Sequence, residues 1–381
     1  MAIYLDSAAT TQLDEEVMEV MLNTMRENYG NPSSTHSFGR KAKNTLETCR
    51  KDIAAYFGAL PQEITFTSCG TEADNMAINC AVYDLGVKRI ITSAMEHKAV
   101  LSTVQTIAKK NNIEVVFLDV NEDGDIDLLQ LIELLSSSNT KTLVSLMHAN
   151  NEIGTLLPIK KVGEACKQYE AYFHSDTVQT VGHYPLNFDE LGVHFSACSA
   201  HKIHGPKGVG FIYINKSISA KSMLIGGGQE RGLRAGTENL IGVCALHKSL
   251  DLAYGDLEKH SSHIKELKTY MKNELISTYG DQIRINGNED NSLYTVLSVS
   301  FPNNSNNGLL LFKLDMKGIA VSGGSACNSG ANQGSHVIRA IYPNATDYVP
   351  LRFSFSKYNT KEDIDTCLQE LKEMVELTVE A

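Results

Sequence analysis

The sequence predicts an α/β fold: a mainly parallel sheet flanked by helices in one large domain, plus a smaller α+β domain. Three observations carry this. Short, nearly unbroken apolar runs recur along the first two thirds of the chain, the mark of strands buried on both faces. Helical periodicities separate the runs, and that alternation builds a parallel sheet through crossover connections. The 381 residues exceed what one ordinary core needs, and the pattern changes after a long helical stretch ending at Tyr279.

In chain order, Asp14 is placed to cap a helix with an apolar stripe of Val17, Val20, Met21 and Met25. Gly30-Asn31-Pro32-Ser33-Ser34 breaks it, and a second helical pattern runs to Phe57. A strand pattern at 64–67 precedes a helix from Thr71, and one at 89–93 precedes a helix from Lys98. Strand patterns continue at 115–118, 143–147, 171–174, 193–198 and 209–214. From Thr237 to Tyr279 the pattern is helical, with a weak point near Gly255, and it bridges into the second domain. There the sequence predicts strands at 283–286, 294–300 and 350–355 and a helix near 308–317. The final helix carries Ile364, Leu368, Leu371 and Val375 on one face.

A formal net charge of −11 argues against direct binding to a nucleic-acid backbone, which relies on Lys and Arg to neutralise phosphates. No stretch is long and apolar enough for a membrane helix, and the first residues lack the features of a secretory leader. A soluble, cytoplasmic protein with no membrane association is expected. The eight cysteines have no metal-ligand spacing, so no metal site is expected. Seven fit core, strand or turn patterns. Cys327 lies in 322–334, a Gly-, Ser- and Asn-rich segment with almost nothing to bury. It is either an incidental surface thiol or a reactive one.

Chemistry concentrates where strand patterns end. Lys202 follows the run at 193–198 among small residues and before a Gly-Pro break. Burial at such a place disfavours an ammonium and frees the amine as a nucleophile toward carbonyl compounds. Asp176 and Gln179 end the preceding strand pattern, and Ser199 and His201 stand beside the lysine. A Schiff-base lysine with an upstream Asp is the pair that pyridoxal 5'-phosphate requires, the Asp keeping the pyridine nitrogen protonated. Each residue also has a plainer reading, as a solvated charge for Lys202 or a helix cap for Asp176. Together at consecutive strand ends they favour a ligand site. Gly70 and Thr71 open a helix after a strand, where free N–H groups attract a phosphate; alternatively Thr71 only caps that helix. His97 and Asn150 follow two further strands, and Arg352 is a charge inside a strand pattern whose fork suits a substrate carboxylate.

With these residues in place, the chain resembles the cysteine desulfurases of the class V aminotransferase superfamily, in the iron–sulfur and thiolation branch with an extended cysteine loop. The likeness runs through Tyr4-Leu5-Asp6, Gly70-Thr71-Glu72, Glu96-His97-Lys98 and Asn150-Asn151-Glu152. It continues through the Asp176 and Lys202 segments, Arg234-Ala235-Gly236-Thr237, Gly324-Ser325-Ala326-Cys327 and Arg352-Phe353-Ser354. Phe355-Ser356-Lys357 departs from the Leu-Gly-Arg-like sequence of many relatives. The resemblance implies a fold-type I pyridoxal-phosphate transferase. It also implies a large domain over 13–255 and a small one made of 1–12 with 256–381.

It further implies a homodimer in which Thr237 reaches the phosphate of the neighbouring subunit's cofactor. Lys202 would be the Schiff-base lysine, with Asp176 on the pyridine nitrogen and Gln179 on the phenolic oxygen. Gly70, Thr71, Ser199 and His201 would hold the phosphate, and His97 would stack on the ring. Asn150 and Arg352 would position the carboxylate of the substrate, L-cysteine. Cys327 would take the sulfur as a persulfide, with His97 as acceptor of its thiol proton. L-Alanine would leave, and the sulfur would pass to acceptor proteins, an iron–sulfur scaffold or thiolation enzymes. Rivals are a selenocysteine lyase or transaminase on the same cofactor, and a non-catalytic carrier that keeps the fold.

Overall fold

The structure is a computed structural model and describes residues 2–323, 335–343 and 347–376. Cys327 therefore lies outside the described residues. Strand β1 (Ile3–Tyr4) opens the chain, followed by helices α1 (Glu15–Glu27) and α2 (Ser37–Tyr56). The expected cap is present: Asp14 accepts from the Glu16 N–H at 3.0 Å. The apolar stripe is only partly used, since Val17 is buried while Met25 and the unstriped Leu22 are exposed.

The central sheet follows as strand–helix units. These are β2 (Ile64–Thr67), α3 (Gly70–Tyr83), β3 (Arg89–Ser93), α4 (Lys98–Asn111), β4 (Glu114–Leu118) and α5 (Leu128–Ser136). Then come β5 (Thr142–Ser145), α6 (Ile159–Gln168), β6 (Tyr172–Asp176), β7 (Phe195–Ser199) and β8 (Gly210–Ile214). Their spatial order is β2-β8-β7-β6-β5-β3-β4. Five of the strands, from β7 through β4, pair in parallel, and β8 alone runs antiparallel to both its neighbours. Most strands are buried throughout, as the apolar runs require. The exception is β4, where Glu114 and Phe117 are exposed. It is one of the sheet's two edge strands, with a neighbour on one side only, whereas β2 at the other edge is buried.

The long helical stretch is two helices, α7 (Leu240–Gly255) and α8 (Leu257–Tyr279), broken beside the glycine that weakened the pattern. It starts three residues later than the sequence suggested, because the Asn239 side chain accepts from the Gly242 N–H and caps α7. Beyond lie β9 (Arg284–Asn286), β10 (Val296–Pro302), α9 (Leu310–Met316), β11 (Ile319–Ala320), α10 (His336–Ile341), β12 (Tyr348–Ser354) and α11 (Lys361–Met374). β10 is the middle strand of an antiparallel sheet with β9 and β12. β1 pairs in parallel with β11, so Ile3 and Leu5 enter the apolar core formed by α8, β10, β12 and α11. The larger core lies under the seven-stranded sheet, around Phe57, Phe173, Phe188 and Phe211.

One buried ion pair fixes the segment before α7 to the sheet. Arg50 on α2 donates to both carboxylate oxygens of Glu230 at 2.7 and 2.9 Å, with both side chains almost fully buried. Glu230 also accepts from the Phe66 N–H of β2 at 2.9 Å. Glu230 and Arg231 adopt left-handed φ values of 46° and 57°, a conformation L residues keep only when their surroundings enforce it. Removing Glu230 leaves the buried Arg50 only the half-exposed Glu47 as counter-charge, with the Ile64 carbonyl as a further acceptor. We therefore expect Glu230→Ala to cost about 3–5 kcal/mol in denaturant unfolding; a loss below about 1 kcal/mol would show that the pair is not needed.

Candidate active site at the strand ends

The parallel strands end together, and loops leaving β3, β5, β6 and β7 line an open cleft. Crevices at the carboxyl ends of parallel strands are where α/β sheets bind ligands. Lys202 lies in a single 3-10 turn, Ala200–Lys202, that β7 runs into. It is half-buried, and its ammonium donates to the carbonyls of Ala8 and Ala9 at 2.6 and 2.9 Å. Gln179 donates to the same Ala8 carbonyl at 3.2 Å. The first residues of the chain are thus stitched across the lysine.

Helix α3 begins at Gly70 with no side chain capping it. Thr71 is exposed and lines the cleft, so the alternative in which it serves only as a cap does not hold. Across from this helix start, the Ser199 hydroxyl is buried without a hydrogen-bond partner. A Cβ on Gly70 would stand 2.6 Å from Val178 Cγ2, so the backbone here needs glycine's small size. His201 lines the same end, and its Nδ1 contacts Thr10 Oγ1 at 3.2 Å. Uncapped N–H groups and an orphaned hydroxyl are donors awaiting an acceptor, and a phosphate group fits them.

Asp176 ends β6, buried, with Oδ1 accepting from the Val178 N–H at 2.9 Å. Burial raises its pKa, while the neighbouring His97 and Lys202 pull the other way. Asp74 of α3 also lines the cleft. Burial and then the nearby Asp176 push it well above the usual carboxylate range. Behind them His174 Nε2 lies 3.3 Å from Asp74 Oδ1, and its Nδ1 meets Ser145 Oγ at 2.9 Å. A carboxyl group at the end of a strand and facing the cleft suits a protonated pyridine nitrogen, so the donor set fits pyridoxal phosphate as a whole.

His97 caps α4: its Nδ1 accepts from the Ala99 N–H at 3.1 Å. Burial lowers its pKa, so the ring is neutral and carries its hydrogen on Nε2. In that state it donates, and the expectation that His97 accepts a thiol proton conflicts with its cap bond. Asn150 also departs from expectation. Its amide is spent on Met95 O and on the N–H groups of Glu152 and Ile153, and it faces a neighbouring cavity. The next residue, Asn151, lines the cleft instead.

Arg352 reaches the cleft from β12, donating to Asp6 Oδ1 at 2.7 Å and Asn151 O at 2.9 Å, with Nε unpartnered. Thr237 is exposed and lines no part of this cleft. Sequence reasoning assigned no role to Asp74, Asn151, Glu152 or His336, all of which line the cleft. Asn151 and Glu152 sit inside a quoted motif, and Asp74 lies one turn along the helix from Thr71. His336 follows the cysteine segment, and only the fold brings it back to the strand ends.

The class-V aminotransferase family model matches residues 3–367. A cysteine desulfurase IscS of Dictyoglomus turgidum is 42% identical over 377 residues, covering 98% of this chain and 94% of its own. A putative cysteine desulfurase IscS 1 of Bacillus subtilis is 39% identical, covering 98% of each. Among solved structures, a NifS-like protein superposes with a TM-score of 0.90 at 36% identity, covering 98% of this chain and 99% of its own. A structure of SspA in complex with cysteine matches at a TM-score of 0.80 and 29% identity, covering 94% and 100%.

The buried and half-buried imidazoles give the fold an acid limit. Burial is the main cause that depresses His148, His183, His201 and His204 to about 4, and His174 to about 3. Unfolded, each titrates near 6.5, so between about 6.5 and 4 the unfolded chain binds more protons and stability falls with pH. These five outnumber Asp74, Glu96 and Asp176, whose raised pKa values act in the opposite sense. Denaturant unfolding of the cofactor-free protein at stepped pH should lose stability below about 6.5; a flat or rising profile would contradict this.

Proposed function

The chain belongs to the class-V aminotransferase family and within it to the cysteine desulfurases, and from that premise we propose that it converts L-cysteine to L-alanine. The sulfur passes to Cys327 as a persulfide and then to an acceptor protein, an iron–sulfur scaffold or a thiolation enzyme. One observation carries the reading. Lys202 and Asp176 face one cleft in which the Ser199 hydroxyl and the uncapped start of α3 lack partners.

Pyridoxal phosphate, when bound, supplies the electron sink that makes the substrate's Cα proton removable. Lys202 would be the residue that holds it, and Lys202 Nζ would take the Cα proton. Asp176 would keep the pyridine nitrogen protonated and Gln179 would serve the phenolic oxygen. Gly70, Thr71, Ser199 and His201 would hold the phosphate. His97 would cover the ring, offering its Nε2 hydrogen to the cleft. Arg352 would bind the substrate carboxylate, with Asn151, which lines the cleft, in place of Asn150.

A homodimer completes the site. Thr237 is exposed away from its own cleft, which suits a contact with the partner's cofactor. Leu22, Met25, Tyr29 and Ile225, the last 91% exposed, are the apolar surface such an interface would cover. The division into 13–255 and 1–12 with 256–381 remains our domain proposal. A cytoplasmic location is supported by the free thiols of the seven described cysteines.

Loaded with pyridoxal phosphate, Cys327→Ala should lose at least about a hundredfold in sulfide released from L-cysteine and reductant, because the nucleophile is gone. The change in visible absorption on adding cysteine should survive. Undiminished sulfide release would favour a lyase on the same cofactor, and a colourless protein would favour the carrier.

A further inference from the structure

A second pocket lies between helix α8 and the segment 285–298, and it shares no lining residue with the cleft. Lys265, Lys268 and Lys272 line it at spacings of three and four, which place them on one face of α8. Lys272 is spoken for, paired with Glu289 at 3.0 Å. Lys268 is half-buried and donates only to neutral oxygens, Ser292 Oγ at 2.7 Å and Leu293 O at 2.9 Å. Lys265 is exposed and makes no ion pair among the described residues. Burial, and then the neighbouring Lys272, bring the pKa of Lys268 down to about 8, against the pull of Glu289. An ammonium in that state is short of negative charge.

The hydroxyls of the pocket are donors of the same kind. Ser292 Oγ accepts from Lys268, and Ser298 Oγ accepts from Asn286 Nδ2 at 3.0 Å. Neither hydroxyl hydrogen has an acceptor among the described residues. Of the two carboxylates in the lining, Glu289 is held by Lys272 and Asp290 is exposed. Two ammonium groups without ion partners and two hydroxyls thus have hydrogens to give. A phosphate group, with three oxygens and up to two negative charges, answers four such donors better than a planar carboxylate does.

We propose that this pocket binds a phosphate group, free or carried by a small molecule, through Lys265, Lys268, Ser292 and Ser298. The site goes beyond the desulfurase reading and stands without it. It backs onto the cleft through one turn. Gly287 in its wall packs so close to Ile153 that a Cβ would stand 2.6 Å from the Ile153 carbonyl. The Ile153 N–H is held by Asn150, and the intervening Asn151 and Glu152 line the cleft.

The test uses the pyridoxal-phosphate-loaded protein, in which the cofactor's own phosphate position is filled. Calorimetric titration with inorganic phosphate at constant ionic strength should show one site per chain with a Kd of about 1 mM or below. Lys265→Ala, a change at an exposed position, should weaken it about threefold and Lys268→Met about tenfold. In the unmutated protein, acetylation of Lys268 by acetic anhydride, followed by mass spectrometry of its peptide, should slow at least about threefold in saturating phosphate. Glycerol 3-phosphate binding more tightly than inorganic phosphate would assign the site to a phosphorylated small molecule, and the reverse order to the free ion. Absence of both heat and protection overturns the proposal. So does parental affinity in both lysine variants, or equal protection by acetate at the same ionic strength.

Discussion

Burying Asp176 at the end of β6 is the constraint around which the cleft is organised. A carboxylate without water is costly unless cations and hydrogen-bond donors surround it. The fold supplies them from adjacent elements: the Val178 N–H from its own turn, Lys202 from the turn after β7, and His97 from the start of α4. Asp74 faces the same place, and its neighbour's charge favours the acid form there. Two carboxyl groups whose pKa values burial raises therefore share one wall of the cleft, the kind of perturbation expected of a working site.

The same economy governs Lys202. Its two carbonyl partners come from residues nearly two hundred positions earlier, so the start of the chain is part of the cleft. Residues 3–6 tie the smaller core to the cleft: Ile3 and Leu5 pack with α8 and β12, and Asp6 pairs with Arg352. A substrate carboxylate must engage a guanidinium that Asp6 and the Asn151 carbonyl already hold. The orientation of Arg352 is thus fixed before substrate arrives, which lowers the entropy lost on binding.

Most of the sheet could be read from sequence because its strands are continuous apolar runs with glycine or polar breaks at their ends. The elements left unread were short or leaned on distant partners. β1 has two residues and pairs with β11 at Ile319 and Ala320. Site residues at strand ends were legible by type and position. Their hydrogen-bond states were not. Asn150 and Asn151 look alike in sequence, yet the first is consumed by its own turn and the second faces the cleft. His97 and His336 are both imidazoles, and only their backbone partners show that one donates and the other can accept.

The central claim is that sulfur leaves L-cysteine in this cleft and lands on Cys327. Mass spectrometry of the pyridoxal-phosphate-loaded protein, mixed briefly with L-cysteine and trapped with an alkylating agent, tests it most directly. The account predicts one added sulfur on the Cys327 peptide, none on peptides of the other cysteines, and none anywhere in Lys202→Ala. Added sulfur elsewhere, or on Cys327 in the Lys202 variant to the same extent, would contradict it.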